Sequence, residues 1–527
     1  MSVVDWILIA VFLLSLMTIG AVFSKKNKNI EDYFTAGRSM PGWLVALAAT
    51  GTSISAGTFV GSPELGFNTN ITFIMSCVGA VVGGIFVAWL VLPELYNAKT
   101  ITIYGFIGER FGETAKRSTS VMFLLGQLFT SGSRLFIAAI AISVICFGGI
   151  DFQFIVWSIV ILGVISTIYT MCGGIKGLIY IDALQILLVI GTGVLALIIL
   201  YDSLDMGFSQ IVDNLRNGMV KLPQQDSYAM YADGSLSGWA KGNKLMLVDP
   251  SFDFTRPYNL LGALFAYAIF KFAQFSTDHE FVQRQLTCKS LKKAGSSLVV
   301  SQLMAIPIVF VFLSIGLLLF LKYHEDPSLG VASGFFTDAR DVFPQYIKNC
   351  VPTGVRGLMI IGLLAAALSS FNSAINAMAS SFVTDLYLPI RKQKGAEIKG
   401  NAEQISSSKK MSALMGAALT AFAILTAVMQ QASGLNLVDF ATGVMCFSYA
   451  GMLGVFITAL YTKRGNEKSV IAALIVGLLV VLLMQPYIMN PLTTALFGHK
   501  VVIAWPWWAP IGGLVSTVVC MLGKKER

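Results

Sequence analysis

One apolar segment of this chain is interrupted at its centre by small and polar residues. Residues 43–67 read WLVALAATGTSISAGTFVGSPELGF, which is long and apolar enough to cross a bilayer. The middle of the segment, residues 51–58, contains only small or hydroxylated side chains apart from Ile54. Such residues let a membrane helix unwind and turn carbonyls and hydroxyls toward a polar ligand, as in transporter binding sites. Close packing between membrane helices favours the same residues, so both interpretations stay open.

The composition of the whole chain is that of a membrane protein. Hydrophobic residues make up 55% and charged residues 12% of the sequence, and that charged fraction is about half of what a soluble domain carries. Thirteen segments approach the roughly 20 apolar residues that cross a bilayer. We therefore predict an all-α polytopic membrane protein that forms one domain over 1–527. The predicted transmembrane helices are 4–23, 43–66, 72–95, 119–145, 152–172, 178–201, 257–277, 297–321, 356–383, 411–432, 436–461, 468–489 and 503–522.

The basic residues predict the orientation of these helices. With the N-terminus outside and the C-terminus inside, most of the 37 Lys and Arg residues fall in cytoplasmic loops, as the positive-inside rule requires. The net charge of +9 therefore orients the protein in the lipid bilayer and indicates no nucleic-acid partner. The first helix lacks the basic region and cleavage site of a signal peptide, so we expect it to remain. Cytoplasmic anchor clusters are expected at Lys25 and Lys26, Arg391 and Lys392, and Lys524 and Lys525.

Enzyme chemistry finds no support in the sequence. The 7 Cys and 3 His residues are scattered and show neither metal-ligand spacing nor a disulfide framework. A phosphate-binding glycine loop is also absent, which argues against transport driven by ATP. We therefore expect neither an enzyme nor a bound cofactor.

Ten of the predicted helices divide into two sets of five. The first set covers 43–201 and the second covers 257–461, with one extra helix at 4–23 and two C-terminal helices within 468–522. Because five is odd, the second set must be inverted, and inverted repeats with broken first helices are a known transporter plan. The seventh predicted helix should then be interrupted too, unless it simply ends at Ser276. Its end is polar: Lys271, Gln274, Ser276, Thr277 and Asp278.

Five motifs resemble those of one transporter family. They are EDYFTAGRSMPGW (31–43), SISAGTFVG (53–61), GGIKGLIYIDALQ (173–185), TDHEFVQRQLT (277–287) and LAAALSSFNSAINAMASSFVTDLY (364–387). In this order they resemble the sodium:solute symporters, which include sodium–glucose, sodium–proline and sodium–sialic acid transporters. The resemblance covers essentially the whole chain and is closest to bacterial sialic-acid-type members. It implies the leucine-transporter fold and sodium-coupled symport, but it is a weak guide to the solute.

One sodium site is expected between the second and ninth predicted helices. Sodium prefers several hard, mostly neutral oxygens gathered where a helix is broken. The resemblance assigns the family's shared sodium site to two hydroxyls and three backbone carbonyls of this chain. Serine hydroxyls in membrane helices also bond to their own helical turn, which is the alternative reading. The residues concerned are Gly51, Ile54, Ala366, Ser369 and Ser370.

A second sodium ion is expected at Asp182, the only acid of the sixth predicted helix. An intramembrane carboxylate is functional by default, because leaving it unpaired is costly. A salt bridge to Lys176 at the cytoplasmic mouth is the alternative. The resemblance to sialic acid transporters implies that Asp182 shares this ion with the hydroxyls of Ser55, Thr58, Ser369 and Ser370.

Two basic residues lie where membrane helices should be apolar, Arg134 and Lys271. A buried arginine is tolerated when it faces a cavity or an anion, and its planar fork suits a carboxylate. Arg134 resembles the carboxylate-binding arginine of sialic acid transporters, although proline transporters have a similar context. Lys271 falls where sodium–galactose symporters place a sugar-binding asparagine. We therefore predict an acidic solute, with the pocket completed by Ser53, Thr58, Ser76 and Gln274.

The predicted function is sodium-coupled import of a small solute, sialic acid or another sugar or organic acid, by alternating access. If Glu64 neutralises Lys271 or Arg134, a neutral sugar or an amino acid such as proline is the alternative solute. A non-transporting solute sensor is the alternative of another class, although the short tail after the last helix offers no output domain. We expect one or two sodium ions and no other metal. The protein is expected in the plasma membrane, the bacterial inner membrane, as a monomer or weak homodimer.

Overall fold

The computed structural model describes residues 1–24, 29–221, 239–329, 335–336, 338–395, 400–433 and 436–524. Within these residues the chain is a bundle of helices with one short antiparallel hairpin, β1 (Met219–Lys221) paired with β2 (Trp239–Lys241). The anchor cluster expected at Lys25 and Lys26 lies outside the described residues, as does Lys525.

The described residues contain helices α1 to α21. The first ten are α1 (Val3–Ser24), α2 (Ile30–Thr35), α3 (Gly42–Ser53), α4 (Ser62–Asn68), α5 (Phe73–Phe86), α6 (Leu92–Asn97), α7 (Tyr104–Phe111), α8 (Glu113–Ile142), α9 (Phe152–Asp202) and α10 (Phe208–Arg216). The others are α11 (Tyr267–Thr277), α12 (His279–Leu286), α13 (Leu291–Glu325), α14 (Val342–Asn349), α15 (Val355–Ser381), α16 (Leu388–Gln393), α17 (Asn401–Ser433), α18 (Leu437–Tyr461), α19 (Glu467–Leu483), α20 (Pro486–Phe497) and α21 (Trp508–Met521).

Many of these helices are membrane spans by length and composition. Among the described residues, 9 helices qualify singly, and two bent pairs bring the number to 11 if each pair is one span. The two other predicted spans, 257–277 and 503–522, are represented by α11 and by the 14-residue α21. A polytopic membrane protein is therefore confirmed, whereas the count of thirteen stays a prediction.

The second predicted helix is broken where its sequence is small and polar. Helix α3 ends at Ser53, Ile54 is extended with φ −91° and ψ 104°, and a π-helical turn at Gly57–Gly61 leads into α4. The two halves are bent by 58° relative to each other. The interruption predicted from residues 51–58 is therefore confirmed, and it leaves backbone groups of this stretch outside regular helical bonding.

The seventh predicted helix is also broken and does not end at Ser276. Helix α11 runs to Thr277, Asp278 is extended with φ −92° and ψ 113°, and α12 begins at His279. The Asp278 side chain accepts a hydrogen bond from the backbone N–H of Glu280, as an N-cap residue does. The interruption predicted from the inverted-repeat pattern is therefore confirmed.

Helix α15 lies at the centre of the bundle, where it packs most extensively against α9 and also against α8 and α17. Its N-terminus is capped from α1, because the Asp5 carboxylate accepts hydrogen bonds from the N–H groups of Gly354 (2.9 Å) and Gly357 (3.0 Å). Helix α9 contains the fifth and sixth predicted helices and turns between them at Gly174, whose φ of 62° favours glycine. The packing of α9 against α15 brings Asp182 close to Ser369.

Candidate functional site

A cavity of about 800 Å³, including its opening, lies beside the break in the second predicted helix. Its walls come from the α3–α4 break and from α5, α8, α11, α12, α13 and α18. Its lining contains both polar and apolar residues. The polar lining residues are Ser53, Ser55, Thr58, Ser62, Arg134, Tyr267, Lys271, Gln274, Gln302 and Thr442.

Five of the six predicted substrate-binding residues line this one cavity: Ser53, Thr58, Arg134, Lys271 and Gln274. They come from three separate parts of the chain, so their convergence is a property of the fold. Ser76 is the exception.

Ser76 does not line the cavity, so the structure does not bring it together with the other five. The side chain is fully buried in α5. The next residue, Cys77, faces the cavity instead. Successive helical residues differ by about 100° in direction, so an error of one position along α5 changes which side chain meets the solute.

Lys271 projects into the cavity beside aromatic rings. Its Nζ donates a hydrogen bond to Gln274 Oε1 at 2.7 Å. Its ammonium also lies 5.4–5.5 Å from the ring centroids of Tyr267, Phe270 and Phe275, within the range of a cation–π interaction. Among the ion pairs of the described residues, none involves Lys271.

Arg134 is paired with an acid that the sequence analysis did not select. Its Nη1 lies 3.4 Å from Glu280 Oε2, and both side chains are buried. Glu64, the expected partner of Arg134 or Lys271, lies elsewhere and accepts a hydrogen bond from the Leu437 N–H at 3.0 Å. Glu64 therefore caps the start of α18, and Glu280 partners the arginine.

The break before α12 is held by a buried hydrogen-bond network around Asp278. The Gln127 amide donates to both carboxylate oxygens at 2.8 and 2.9 Å. The Tyr449 hydroxyl donates to Asp278 at 2.5 Å. These bonds join α8 and α18 to the break, and they satisfy a carboxylate that would otherwise be costly at this depth.

Two residues predicted for the shared sodium site, Gly51 and Ser369, approach each other between α3, α9 and α15. A Cβ atom placed on Gly51 would lie 3.1 Å from the Asp182 carbonyl oxygen and 3.3 Å from Ser369 Oγ, so the three elements approach closely there. Ser370 Oγ donates to the Ala366 carbonyl at 3.4 Å, as the alternative reading expected. Ile54 is buried at the break.

Asp182 makes two contacts with buried partners. One oxygen accepts a hydrogen bond from Ser369 Oγ at 2.7 Å, and the other lies 2.7 Å from Arg284 Nη2. Asp182 therefore forms a salt bridge with Arg284. The salt-bridge partner considered from the sequence was Lys176. Ser369 joins both predicted ion sites.

The remaining residues of the second predicted site lie on the cavity side. Ser55 and Thr58 both line the cavity, and Ser55 Oγ accepts a hydrogen bond from the Gly57 N–H at 3.2 Å. Among the hydrogen bonds of the described residues, none joins Ser55 or Thr58 to Asp182. The predicted set is thus divided between the cavity wall and the α9–α15 interface.

Three functional candidates were missed: Gln302, Glu280 and Arg284. Gln302 lines the cavity and donates to Ser53 Oγ at 3.3 Å. Glu280 and Arg284 occur within the 277–287 motif, four residues apart, so one helical face carries both. Opposite charges at that spacing beside a helix break were the signal available in the sequence.

Two broken helices that meet around a polar cavity at membrane depth define the class of secondary transporters. The structure is similar to that of a sodium-coupled sialic acid symporter in a substrate-bound outward-open state, with a TM-score of 0.79, 22% identity and full coverage of both chains. It is also similar to a closed, ligand-bound structure of the nucleobase-cation-symport-1 transporter Mhp1, with a TM-score of 0.54, 12% identity and 94% of each chain covered. These likenesses confirm the leucine-transporter fold.

The chain belongs to the sodium:solute symporter family, whose model matches residues 33–477. It is 27% identical to the sodium/sialic acid symporter SiaT of Proteus mirabilis, over 89% of this chain and 87% of the relative. It is also 25% identical to the sodium/glucose cotransporter 1 of Oryctolagus cuniculus, over 90% of this chain and 71% of the relative. The protein is therefore a sodium-coupled membrane symporter and not an enzyme, as predicted.

Proposed function

We propose that this symporter carries a carboxylate-bearing sugar, sialic acid or a related sugar acid, into the cell together with sodium. The observation that carries the proposal is the cavity wall, where Arg134 and Lys271 lie with hydroxyl and amide groups. A carboxylate would bind the two cations, and the sugar hydroxyls would bind Ser53, Gln274 and Gln302. Sialic acid is also named in the description of the relative SiaT.

We further propose that two sodium ions accompany each solute. The first would be held by carbonyls of Gly51, Ile54 and Ala366 with hydroxyls of Ser369 and Ser370. The second would be held by Asp182 and Ser369, with Ser55, Thr58 and Ser370 as further candidates from the resemblance. The close approach of Gly51 to Ser369 supports the first site, because it places the broken helix against α15.

The two sets of five helices, 43–201 and 257–461, would move against each other around these sites with the N-terminus outside. Sodium would bind first and hold the α3–α4 break against α15, which completes the solute cavity. Closure outside and release of sodium into the cytoplasm would follow. We propose a monomer or weak homodimer in the plasma membrane.

A neutral or zwitterionic solute is the second candidate. The observation that favours it is the ion pair between Arg134 and Glu280, at 3.4 Å, which neutralises one of the two cations at the cavity. Lys271 has no such partner among the ion pairs of the described residues. The ammonium group of Lys271 therefore leaves a positive charge at the cavity wall, which still favours an anionic solute.

The test is thermal stabilisation of the purified protein by sialic acid, its methyl ester, neutral sugars and proline, each in sodium and in potassium. We expect stabilisation by the acid in sodium only, and a loss of about tenfold or more in affinity for Lys271→Gln, as for a charge-assisted contact of ~1.5–3 kcal/mol. Arg256→Gln, which removes an exposed arginine of the loop before α11, is the matched control. Equal binding of acid and ester would support the second candidate, and solute binding without uptake into proteoliposomes would indicate a sensor.

A further inference from the structure

Four buried charges alternate in sign between the solute cavity and the second proposed sodium site. Arg134 lies 3.4 Å from Glu280, and Arg284 lies 2.7 Å from Asp182. Between the pairs, Arg284 Nη1 donates to the Glu280 carbonyl at 2.9 Å. Each of the four side chains is at most 6% exposed. Buried ions at this depth are tolerated because each has a partner of opposite charge.

The two middle charges belong to one short helix. Glu280 and Arg284 are four residues apart on α12, which begins directly after the break at Asp278. Helix α12 packs against α15, α3 and α13. It therefore touches α3 and α15, the helices on the two sides of the first proposed sodium site. A displacement of α12 would carry both charges with it, since one helical turn joins them.

The two outer charges, Arg134 and Asp182, are proposed to bind the solute carboxylate and sodium. The internal partner of each has a charge of the same sign as the ligand that would replace it. Arg134 would bind the solute carboxylate, and the Glu280 carboxylate occupies one edge of its guanidinium. Asp182 would bind sodium, and the Arg284 guanidinium occupies one of its oxygens. Exchange of an internal ion for a ligand of equal charge leaves the buried net charge unchanged at each end.

We propose that Glu280 and Arg284 are internal counter-ions that make α12 the coupling element between solute and sodium. The proposal rests on the proposed function, because it assigns Arg134 to a carboxylate and Asp182 to sodium. In the locked state both ion pairs hold α12 in place. Sodium at Asp182 displaces Arg284 and the carboxylate at Arg134 displaces Glu280, so either ligand makes the release of α12 easier for the other.

If α12 has a locked and a released state, a change at one ligand site alters the affinity at the other site. A purely local role of Glu280 and Arg284 predicts no such effect. Loss of either internal ion weakens the locked state and shifts the population toward the released state. The affinity for solute without sodium then rises, whereas the affinity at saturating sodium stays the same because α12 is already released. The affinity for sodium without solute rises in the same variants, including Glu280→Gln, whose changed side chain pairs with Arg134 and not with Asp182.

The first experiment uses Glu280→Gln in the full-length protein in detergent. Sodium is titrated without any solute, and half-maximal thermal stabilisation is recorded. We expect the required sodium concentration to fall about fivefold, at the lower end of ordinary allosteric coupling, although Glu280 contacts Arg134 and not Asp182. Glu280→Asp keeps the charge and should return the value to within about twofold of the parent protein.

The second experiment uses Arg284→Gln with sialic acid as the probe, titrated by calorimetry in potassium and in saturating sodium. We expect the variant to bind sialic acid measurably in potassium, where the parent protein is not stabilised by the acid, and its affinity in sodium to change by less than about twofold. Arg256→Gln removes an arginine outside the network and should change neither value. Arg284→Lys, which keeps the cation, covers the case in which Arg284→Gln does not fold.

Three results would overturn the coupling role. These are an unchanged sodium titration in Glu280→Gln, a lack of sialic acid binding to Arg284→Gln in potassium, or the same effect in Glu280→Asp as in Glu280→Gln. Failure of the proposed function has a different signature, because the parent protein would then show no sodium-dependent binding of sialic acid. The sodium titration of Glu280→Gln needs no solute and therefore tests α12 in either case.

Discussion

Ser369 and Ser370 are adjacent but make different contacts. Ser370 donates to the Ala366 carbonyl in its own helix, whereas Ser369 donates to Asp182 across the α9–α15 interface. A hydroxyl that binds a carboxylate from another helix is available to a cation at the same place. Of the two serines, Ser369 is therefore the one whose hydroxyl already contacts Asp182 and would serve both proposed ion sites.

We expect Ser369→Ala to raise the sodium concentration for half-maximal solute binding about tenfold, through the loss of one oxygen ligand and one charge-assisted hydrogen bond. The measurement is solute binding across a sodium titration. Ser412→Ala is the matched control, because Ser412 is equally buried and donates to the Ser408 carbonyl within α17. An unchanged sodium dependence in Ser369→Ala would exclude this residue from both sites.

The residue scale also separates what a sequence can predict from what it cannot. Ser53, Thr58 and Gln274 line the cavity, and they could be selected because helix breaks collect polar side chains. Ser76 does not line it, because the direction of its side chain depends on the rotation of α5, which only packing against neighbouring helices decides. The Arg134–Glu280 and Asp182–Arg284 pairs could not be predicted, since each partner is over a hundred residues away along the chain.

At the scale of elements, α4 and α13 approach so closely that only glycine fits between them. A Cβ atom on Gly316 would lie 2.1 Å from the Pro63 carbonyl oxygen, and one on Gly66 would lie 2.4 Å from the Leu313 carbonyl oxygen. Both obstacles are backbone atoms and cannot rotate away. This contact fixes α4, the second half of the broken helix, against α13.

We expect Gly316→Ala to lower the apparent Tm and to reduce sodium-dependent binding, because α4 must move off α13. The cost should be about 1–3 kcal/mol, as for other overpacked sites. Gly191→Ala in α9 is the matched control, since a Cβ there meets nothing within 4 Å and alanine favours a helix by roughly 1 kcal/mol. A Tm equal to that of the parent protein would show that the two helices separate readily.

The segment between β2 and α11 also holds α4 through one buried lysine, Lys244. Lys244 Nζ donates to the carbonyls of Phe67 at 2.9 Å and Thr69 at 2.7 Å, at the C-terminal end of α4. A cation there satisfies the free carbonyls and complements the helix dipole. We expect Lys244→Met to destabilise the protein by about 2 kcal/mol or more, measured by thermal unfolding, whereas Lys241→Met, at an exposed position, should have little effect.

Both helix breaks were predictable because they follow from local composition and from the symmetry of the repeats. Gly, Ser and Thr at 51–58 cannot fill a membrane helix with apolar packing, and inversion then demands a second break near Asp278. The bend between α19 and α20, 71° at Met484 and Gln485, was not predicted. An apolar run with Pro486 inside it looks like one span, and only the packing of α20 reveals two elements.

At the scale of the whole molecule, the number of sodium ions determines how transport responds to voltage. A monoanionic solute carried with two sodium ions moves one net positive charge, whereas the same solute with one sodium ion moves none. A potential of 100 mV is worth about 2.3 kcal/mol per charge, and a tenfold sodium gradient is worth about 1.4 kcal/mol per ion. Two ions would therefore supply about 5 kcal/mol and one ion only about 1.4 kcal/mol for the same solute.

We expect Asp182→Asn to convert voltage-driven uptake of sialic acid into voltage-independent uptake, because the second sodium ion loses its only carboxylate. Uptake of labelled sodium and labelled solute into proteoliposomes should change from a ratio of two to a ratio of one, and a valinomycin-imposed potential should no longer accelerate it. Asp253→Asn, a change at an aspartate of the loop before α11 that pairs with Arg256, is the control. Voltage dependence that persists with a ratio of two would place the second ion elsewhere. Asp182 would then serve only to anchor Arg284, and the locked state of α12 would be the part of the molecule that Asp182→Asn weakens.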